Sequence, residues 1–262
     1  LSREMGHELA KAIMTTDTRP KEIALGLDLG CKPVKIGGIA KGAGMIHPNM
    51  ATMLSFIATD AAVEKGFLQK VLREAVGNSF NMISVDGDTS TNDTVLLLAN
   101  GASGGKSISA EDPEAPLFAR AVKEVCIYLA KQIVLDGEGA TKLIEVTVEG
   151  AKSLADARRA ARTIASSSLV KTAVHGEDPN WGRVIAAAGR SGIELDESKV
   201  ALWINGICTM DNGTPVPFYK DAAIASMRAP EVNIRVALNL GEHSATAWGC
   251  DLTQEYVRLN SV

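Results

Sequence analysis

The sequence predicts an α/β (α+β) fold, with a mixed-sheet layered core in the first part of the chain and a second, smaller α/β domain after it. Three observations carry this expectation. Period-two alternation at 22–29, EIALGLDL, is followed after Gly30 by a second run at 33–40, which reads as two paired strands. Apolar residues at helical spacing fill 60–79 and the stretch between Asp112 and Gly137. From about 143 the rhythm changes to alternating strand and helix, which divides the chain into expected domains 1–142 and 143–262.

In chain order, LSREMGHELAKAIM reads as an amphipathic helix entered at Leu1, with Met5, Leu9 and Ile13 on one side, so the first domain reads as incomplete at its N-terminus. After the paired strands comes a loop, KGAGMIHPNMA, carrying Gly42, Gly44 and Pro48. A strand resumes at Thr52, TMLSFIAT, and the helix over 60–79 places Val63, Phe67, Val71, Leu72 and Val76 on its apolar face with Gly77 as its stop. A short strand, MISV, enters the acidic turn DGDTSTND, and TVLLLAN leaves it as a buried strand. Asp112-Pro113-Glu114 starts a helix whose apolar positions Phe118, Val122, Val125, Leu129 and Ile133 run to a stop at Gly137. Beyond 143 the expectation is strand LIEVTVEG, a helix over 153–166 opened by Ser153-x-x-Asp156, strand LVKTAVHG, helix PNWGRVIAAAG and strands at 199–205, 232–239 and 245–253.

The 262 residues are 46% apolar and 22% charged, an ordinary globular mixture that excludes a disordered chain and a coiled coil. A net charge of −4 without long like-charge blocks leaves no basic footprint for nucleic acid or anionic lipid, and points to a small-molecule partner. Cys31, Cys126, Cys208 and Cys250 lie far apart and form no CxxC pair, which argues against a zinc knuckle or a small disulfide framework and fits the reduced thiols of a cytoplasmic protein. No apolar run approaches the roughly 18 residues of a membrane helix, and the first residues lack the order of a signal peptide.

Several patterns that suggest chemistry fail on spacing. GASGGKS at 101–107 has Asn100 where a phosphate-cradling loop needs its first glycine, and no helix start follows at the right point. DGDTSTND, counted from Asp86 as a calcium loop, puts Thr91 at the sharp-turn glycine and Leu97 at the bidentate glutamate, so it reads as a polar turn. His7, His47, His175 and His243 show no HExxH spacing and pair with no GxSxG elbow, and read as surface or loop residues.

The loop from Lys41 to Leu54 concentrates features that a plain connection does not need. Gly42 and Gly44 permit left-handed backbone and close approach, Pro48 stiffens the stretch, and Thr52 follows at the first position of a strand. A threonine hydroxyl needs a base, and an economical one is the α-amine of the same residue once the preceding peptide bond is cut, since that amine titrates near about 7.7–8.0. The residues alone leave two readings open, a glycine-rich turn before an ordinary strand threonine, or a nucleophile.

KGAGMIHPNMATML resembles the signature of the ornithine acetyltransferases, the bifunctional glutamate N-acetyltransferases of arginine biosynthesis. The similarity continues through MTTDT at 14–18, DGEGATK at 136–142, HGEDPNWGR at 175–183 and LNS at 259–261. It implies self-cleavage between Ala51 and Thr52, leaving Thr52 as an N-terminal nucleophile in domain 1–142. Thr52 would take the acetyl group from N-acetylornithine and pass it to glutamate in ping-pong order. Position in the motifs implies substrate contacts at Thr15, Lys41, Thr52, Glu138 and Asn260. Lys41 would pair with a substrate carboxylate, Glu138 with the ornithine ammonium, and Thr15 and Asn260 would hydrogen-bond the amino-acid frame. HGEDPNWGR reads as architectural, with Glu177 and Arg183 as salt-bridge partners.

The resemblance further implies self-cleaved α and β chains assembled as a dimer of heterodimers, no cofactor and no metal, with acetyl-CoA left open as an acetyl donor. Two family features have no counterpart here: the upstream Ser-Thr-Gly element that forms the oxyanion hole, and a hydroxyl residue beyond Asn260, since the chain stops at Val262. The competing readings are an N-terminal-nucleophile aminopeptidase or amidohydrolase, and a non-catalytic fragment lacking the oxyanion hole.

Overall fold

The structure, a computed structural model, describes residues 5–30, 32–47, 53–89 and 92–261. They form two compact units, Leu1–Asn81 with Asp88–Asp136, and Met82–Gly87 with Gly137–Val262. The chain is mixed α/β in both, as the sequence predicts.

The first unit holds α1 (Gly6–Ala12), β1 (Lys21–Leu29), β2 (Lys32–Lys41), β3 (Leu54–Thr59) and α2 (Lys65–Gly77). A two-residue β4 (Ile83–Ser84) belongs with the second unit, and β5 (Thr94–Ala99) and α3 (Ala115–Leu135) complete the first. Its sheet runs β1-β2-β3-β5, antiparallel except for the parallel β3–β5 pair. Period-two side chains put Val34, Ile36 and Ala40 of β2 on a buried face, which α3 covers with Phe118, Val122, Val125, Leu129 and Ile133, all 0% exposed. Burying each such aliphatic or aromatic side chain contributes roughly 1.5–3 kcal/mol. Gly38 sits in the middle of that contact. A Cβ there would stand 2.9 Å from Leu129 Cδ1 and 3.0 Å from Val125 Cγ1, so the missing side chain is what lets the helix lie close on the strand.

TVLLLAN is a strand but not a buried one: β5 alternates, with Leu96 44% and Leu98 59% exposed. Leu98 joins Leu9, Ile39 and Phe56 in lining an apolar groove of about 650 Å³. In the first helix only Ala10 is buried, while Met5 and Leu9 stay half-exposed, because no described element covers that side. The helix expected over 60–79 begins only at Lys65, since Val63 is held instead by a strand-like bridge to Ile108.

The second unit adds β6 (Leu143–Ala151), α4 (Leu154–Ala165), α5 (Ser168–His175), α6 (Trp181–Gly189), β7 (Ala201–Ile204), β8 (Ile207–Asp211), β9 (Thr214–Pro215), α7 (Lys220–Met227), β10 (Glu231–Ala237), β11 (His243–Cys250) and α8 (Gln254–Leu259). Its sheet order is β4-β11-β6-β10-β7-β8-β9, with β6 parallel to β10 and antiparallel to β11. Ile144, Val146 and Val148 alternate onto the core face of β6, and α4 presents Ala157, Ala160, Ala161 and Ile164. Ser153 caps that helix as expected, accepting the Asp156 N–H at 3.1 Å. LVKTAVHG, expected as a strand, is the helix α5. Its buried Val170, Ala173 and Val174 follow an i, i+3, i+4 pattern that the short aliphatic run masks.

A Gly38→Ala substitution should push α3 off β2 and cost about 1–3 kcal/mol, read as a lower urea midpoint at unchanged slope. An unchanged midpoint would contradict the close approach.

Candidate active site

At the base of the first unit's site lies a buried ionic cluster. The Lys21 ammonium, its side chain 0% exposed, donates to Asp17 Oδ1 and Asp136 Oδ2 at 2.5 Å each. Two carboxylates on one ammonium leave an excess negative charge, which N–H and O–H donors spread. The Gly42 N–H reaches Asp17 Oδ1 at 2.7 Å, the Thr15 N–H reaches Asp17 Oδ2 at 3.1 Å, and Thr18 donates its N–H and hydroxyl to Asp136. For Asp17, burial acts to raise the pKa, but the Gly42 N–H, Lys21 and the Thr15 N–H outweigh it and hold the carboxyl below the usual carboxylate range. Through this one side chain the MTTDT segment and the first glycine of the KGAGM loop are tied together. Gly42 itself has φ +148°, a conformation that suits glycine.

Lys41 ends β2 one residue before that tie and is 7% exposed. Its ammonium donates to Thr15 Oγ1 at 3.0 Å and makes no ion pair among the described residues. The structure thus brings Thr15 and Lys41 together. Ala51 and Thr52, the expected cleavage site and nucleophile, lie outside the described residues. Met53, which follows them, is 2% exposed; its N–H is held by Asp93 Oδ1 and its C=O accepts the Thr94 N–H at 3.0 Å. Leu54, next along β3, stands opposite Lys41 on one side and Thr94 on the other. Burial pushes the Asp93 carboxyl up to about 6, against the Met53 N–H and the positive charge of Lys41.

In the second unit Asn260 donates its side-chain amide to Glu138 Oε2 at 3.0 Å. The second glycine of DGEGATK lets α8 approach the same loop. Gly139 adopts φ +69°, and a Cβ there would fall 2.5 Å from the Tyr256 nitrogen and 2.8 Å from Thr253 Oγ1, so α8 docks directly on the loop. Thr253, the N-cap of α8, donates to the Gly139 carbonyl at 2.8 Å. Asp251 fixes the end of the same motif, accepting the Thr141 N–H at 2.8 Å and hydroxyl at 2.6 Å, and the Lys142 N–H at 2.9 Å. His175 Nδ1 lies 2.9 Å from its Oδ2. Burial works to raise the Asp251 pKa, but these hydrogen bonds prevail and the carboxyl sits below its ordinary value.

Sequence reasoning missed Lys21, Asp136 and Asp251 as anchors, and Asp93 as the partner of Met53. Only Asp17 and Lys21, four residues apart, carry a local signal; the others are joined to their partners across 40 to 118 positions. The expected Glu177–Arg183 pair does not form. Glu177 pairs with Lys142 and Arg228 at 3.4 and 3.3 Å, while Arg183 donates to the Leu169 carbonyl and the Thr172 hydroxyl. His175, read as a surface or loop residue, is exposed at the end of α5, with its ring nitrogen against buried Asp251. Among the described residues no group of three or more His, Cys, Asp or Glu is arranged to hold a metal ion, and no helix is long and apolar enough to cross a membrane.

The ArgJ family model matches residues 1–262. The arginine biosynthesis bifunctional protein ArgJ of Symbiobacterium thermophilum is 56% identical over 260 residues, covering 99% of this chain and 65% of the relative. That of Dehalococcoides mccartyi is 52% identical over 261 residues, covering 100% of this chain and 64% of the relative. The chain therefore spans just under two thirds of the length of these relatives. The crystal structure of the arginine biosynthesis bifunctional protein ArgJ from Bacillus halodurans superposes with a TM-score of 0.79 at 45% identity, covering 80% of this chain and 99% of that chain.

A Lys21→Met substitution leaves two buried carboxylates facing each other and should cost about 3–5 kcal/mol at neutral pH. Because Asp17 is held below its ordinary 3.8, its stabilising contribution is present above that pH and lost as the pH falls through its folded pKa. The Gly42 and Thr15 N–H groups remain in the variant but the share that Lys21 supplies is lost, so its urea midpoint should fall less than the native one between pH 7 and pH 3. A parallel fall in both proteins would contradict the cluster's role.

Proposed function

The chain belongs to the ArgJ family, and on that premise we propose that the protein moves an acetyl group from N-acetylornithine to glutamate in arginine biosynthesis, through an acetyl ester on Thr52. The observation that supports this most is the state of Lys41. A buried ammonium is commonly paired with a carboxylate, as Lys21 is, yet Lys41 hydrogen-bonds the Thr15 hydroxyl and makes no ion pair among the described residues. A ligand carboxylate is the partner that such a site accepts, and both amino-acid substrates carry one.

In the proposed sequence the Thr52 hydroxyl first adds to the Ala51 carbonyl and the Ala51–Thr52 C–N bond breaks, giving an ester and a free α-amine. Water hydrolyses the ester, releasing the Ala51 carboxylate and restoring the hydroxyl. In turnover the α-amine takes the hydroxyl proton as Thr52 attacks the acetyl carbonyl, and returns it to the departing ornithine nitrogen. The glutamate amine then attacks the acetyl ester and regenerates Thr52. Lys41 and Thr15 would bind the carboxylate end of each amino acid, and Glu138 and Asn260 the ornithine side chain and frame. On this reading the enzyme is cytoplasmic, consists of cleaved α and β chains assembled as a dimer of heterodimers, needs no metal, and is assayed with acetyl-CoA as a second donor.

Mass spectrometry of the intact protein after addition of N-acetylornithine should show one acetyl group on a peptide beginning at Thr52. Thr52→Ala should abolish both chain cleavage and transfer. An unlabelled Thr52 in active protein would overturn the proposal, and product formation at a rate that glutamate does not change would favour the amidohydrolase reading.

A further inference from the structure

Asp93 closes the DGDTSTND segment, which fails as a calcium loop and to which the acetyl transfer assigns nothing. The structure gives it a specific contact. Asp93 and Thr94 grip both amide groups of Met53: the Asp93 carboxylate accepts its N–H, and the Thr94 N–H donates to its C=O at 3.0 Å. The nitrogen that Asp93 holds is bonded to the carbonyl carbon of Thr52, so the contact acts on the peptide group that joins the two residues. We propose that Asp93 is a positioning residue for the proposed reaction, fixing at the start of β3 the Met53 amide that follows the Thr52 nucleophile in the chain. This rests on the reading of Thr52 given above.

Asp93 Oδ2 is buried without a hydrogen-bond partner among the described residues, so the hydrogen bond from the Met53 N–H to Oδ1 is the contact that accounts for the side chain's place. The carboxyl borders a cavity of about 310 Å³ walled by Met53, Leu72, Val76, Phe80 and Val95. Its burial there and its raised pKa are consistent with one another. Native proteins retain such unsatisfied groups where geometry serves function.

The test compares Asp93→Ala with Asp93→Asn in the intact protein, by amide hydrogen exchange at Met53, by the rate of cleavage at Ala51–Thr52 and by kcat and KM for transfer. Asn keeps an acceptor oxygen for the Met53 N–H and Ala does not. Asp93→Ala should raise Met53 exchange at least about tenfold and slow cleavage and kcat by about 10–100-fold, with KM for glutamate within about twofold, because misplacing a reacting group costs rate rather than binding. Asp93→Asn should restore protection at Met53 and most of both rates. Equal cleavage and kcat in Asp93→Ala and native protein would overturn the positioning role, as would an Asp93→Asn as impaired as Asp93→Ala. A KM rise matching the kcat loss, with exchange faster throughout the sheet, would also overturn it in favour of a structural role. If the native protein showed no cut ahead of Thr52, the nucleophile reading itself would fall and this role with it; a cut at native rate in Asp93→Ala would remove only Asp93.

Discussion

The ammonium of Lys21, held at 2.5 Å by Asp17 on one side and Asp136 on the other with no exposure to solvent, is the constraint on which the first unit's site depends. An uncompensated ion at such a depth costs several kcal/mol, so neither carboxylate can withdraw. Their remaining lone pairs are filled by the N–H groups of Gly42, Thr15 and Thr18 and the hydroxyl of Thr18. The consequence is positional. The segment that carries Thr15, the strand end that carries Lys41 and the C-terminal end of α3 meet at one point and cannot shift independently.

The buried lysines among the described residues differ in what their ammonium groups meet. Lys21 has two carboxylates, and Lys171, 3% exposed, donates to the carbonyl of Cys250 and lies 3.4 Å from its thiol. Lys41 has one hydroxyl. A structural lysine is satisfied within the protein, whereas Lys41 is satisfied only in part, and it flanks the strand that Met53 enters. Asp93 flanks the same strand from the other side, with its own charge disfavoured by burial. The start of β3 therefore runs between a buried cation with no ion pair among the described residues and an acid whose carboxyl burial pushes up to about 6.

Much of the fold was legible because it is locally encoded. The β1–β2 pair shows in strict alternation about Gly30, α3 in five apolar positions at helical spacing, and α4 in the Ser153 cap. The misread elements are those whose pattern is short or whose environment is not local. In 169–176 an aliphatic run hides helical periodicity, and in β5 three consecutive leucines suggest burial although alternate side chains face outward. The hairpin of β7 with β8, the short α7 and α8 carry too few periodic residues to stand out. At the site, motif resemblance pointed to Thr15, Lys41, Glu138 and Asn260, and the structure pairs the first two in one unit and the last two in the other. The acids that fix the neighbouring segments, Asp136, Asp251 and Asp93, were not legible as anchors, because their partners are chosen by the tertiary fold and not by their neighbours in sequence.

The central claim is that one buried lysine is left for a ligand's carboxylate while another is neutralised within the fold. Calorimetric binding of ornithine and of ornithinamide, in which the carboxylate is replaced by a neutral amide, to native and Lys41→Met protein tests it most directly, because the four affinities isolate the coupling between the two groups. The account predicts that the amide binds the native protein at least about tenfold more weakly than ornithine, about 1.4 kcal/mol, and that this difference disappears in Lys41→Met. An equally large difference in both proteins would show that the carboxylate is bound elsewhere.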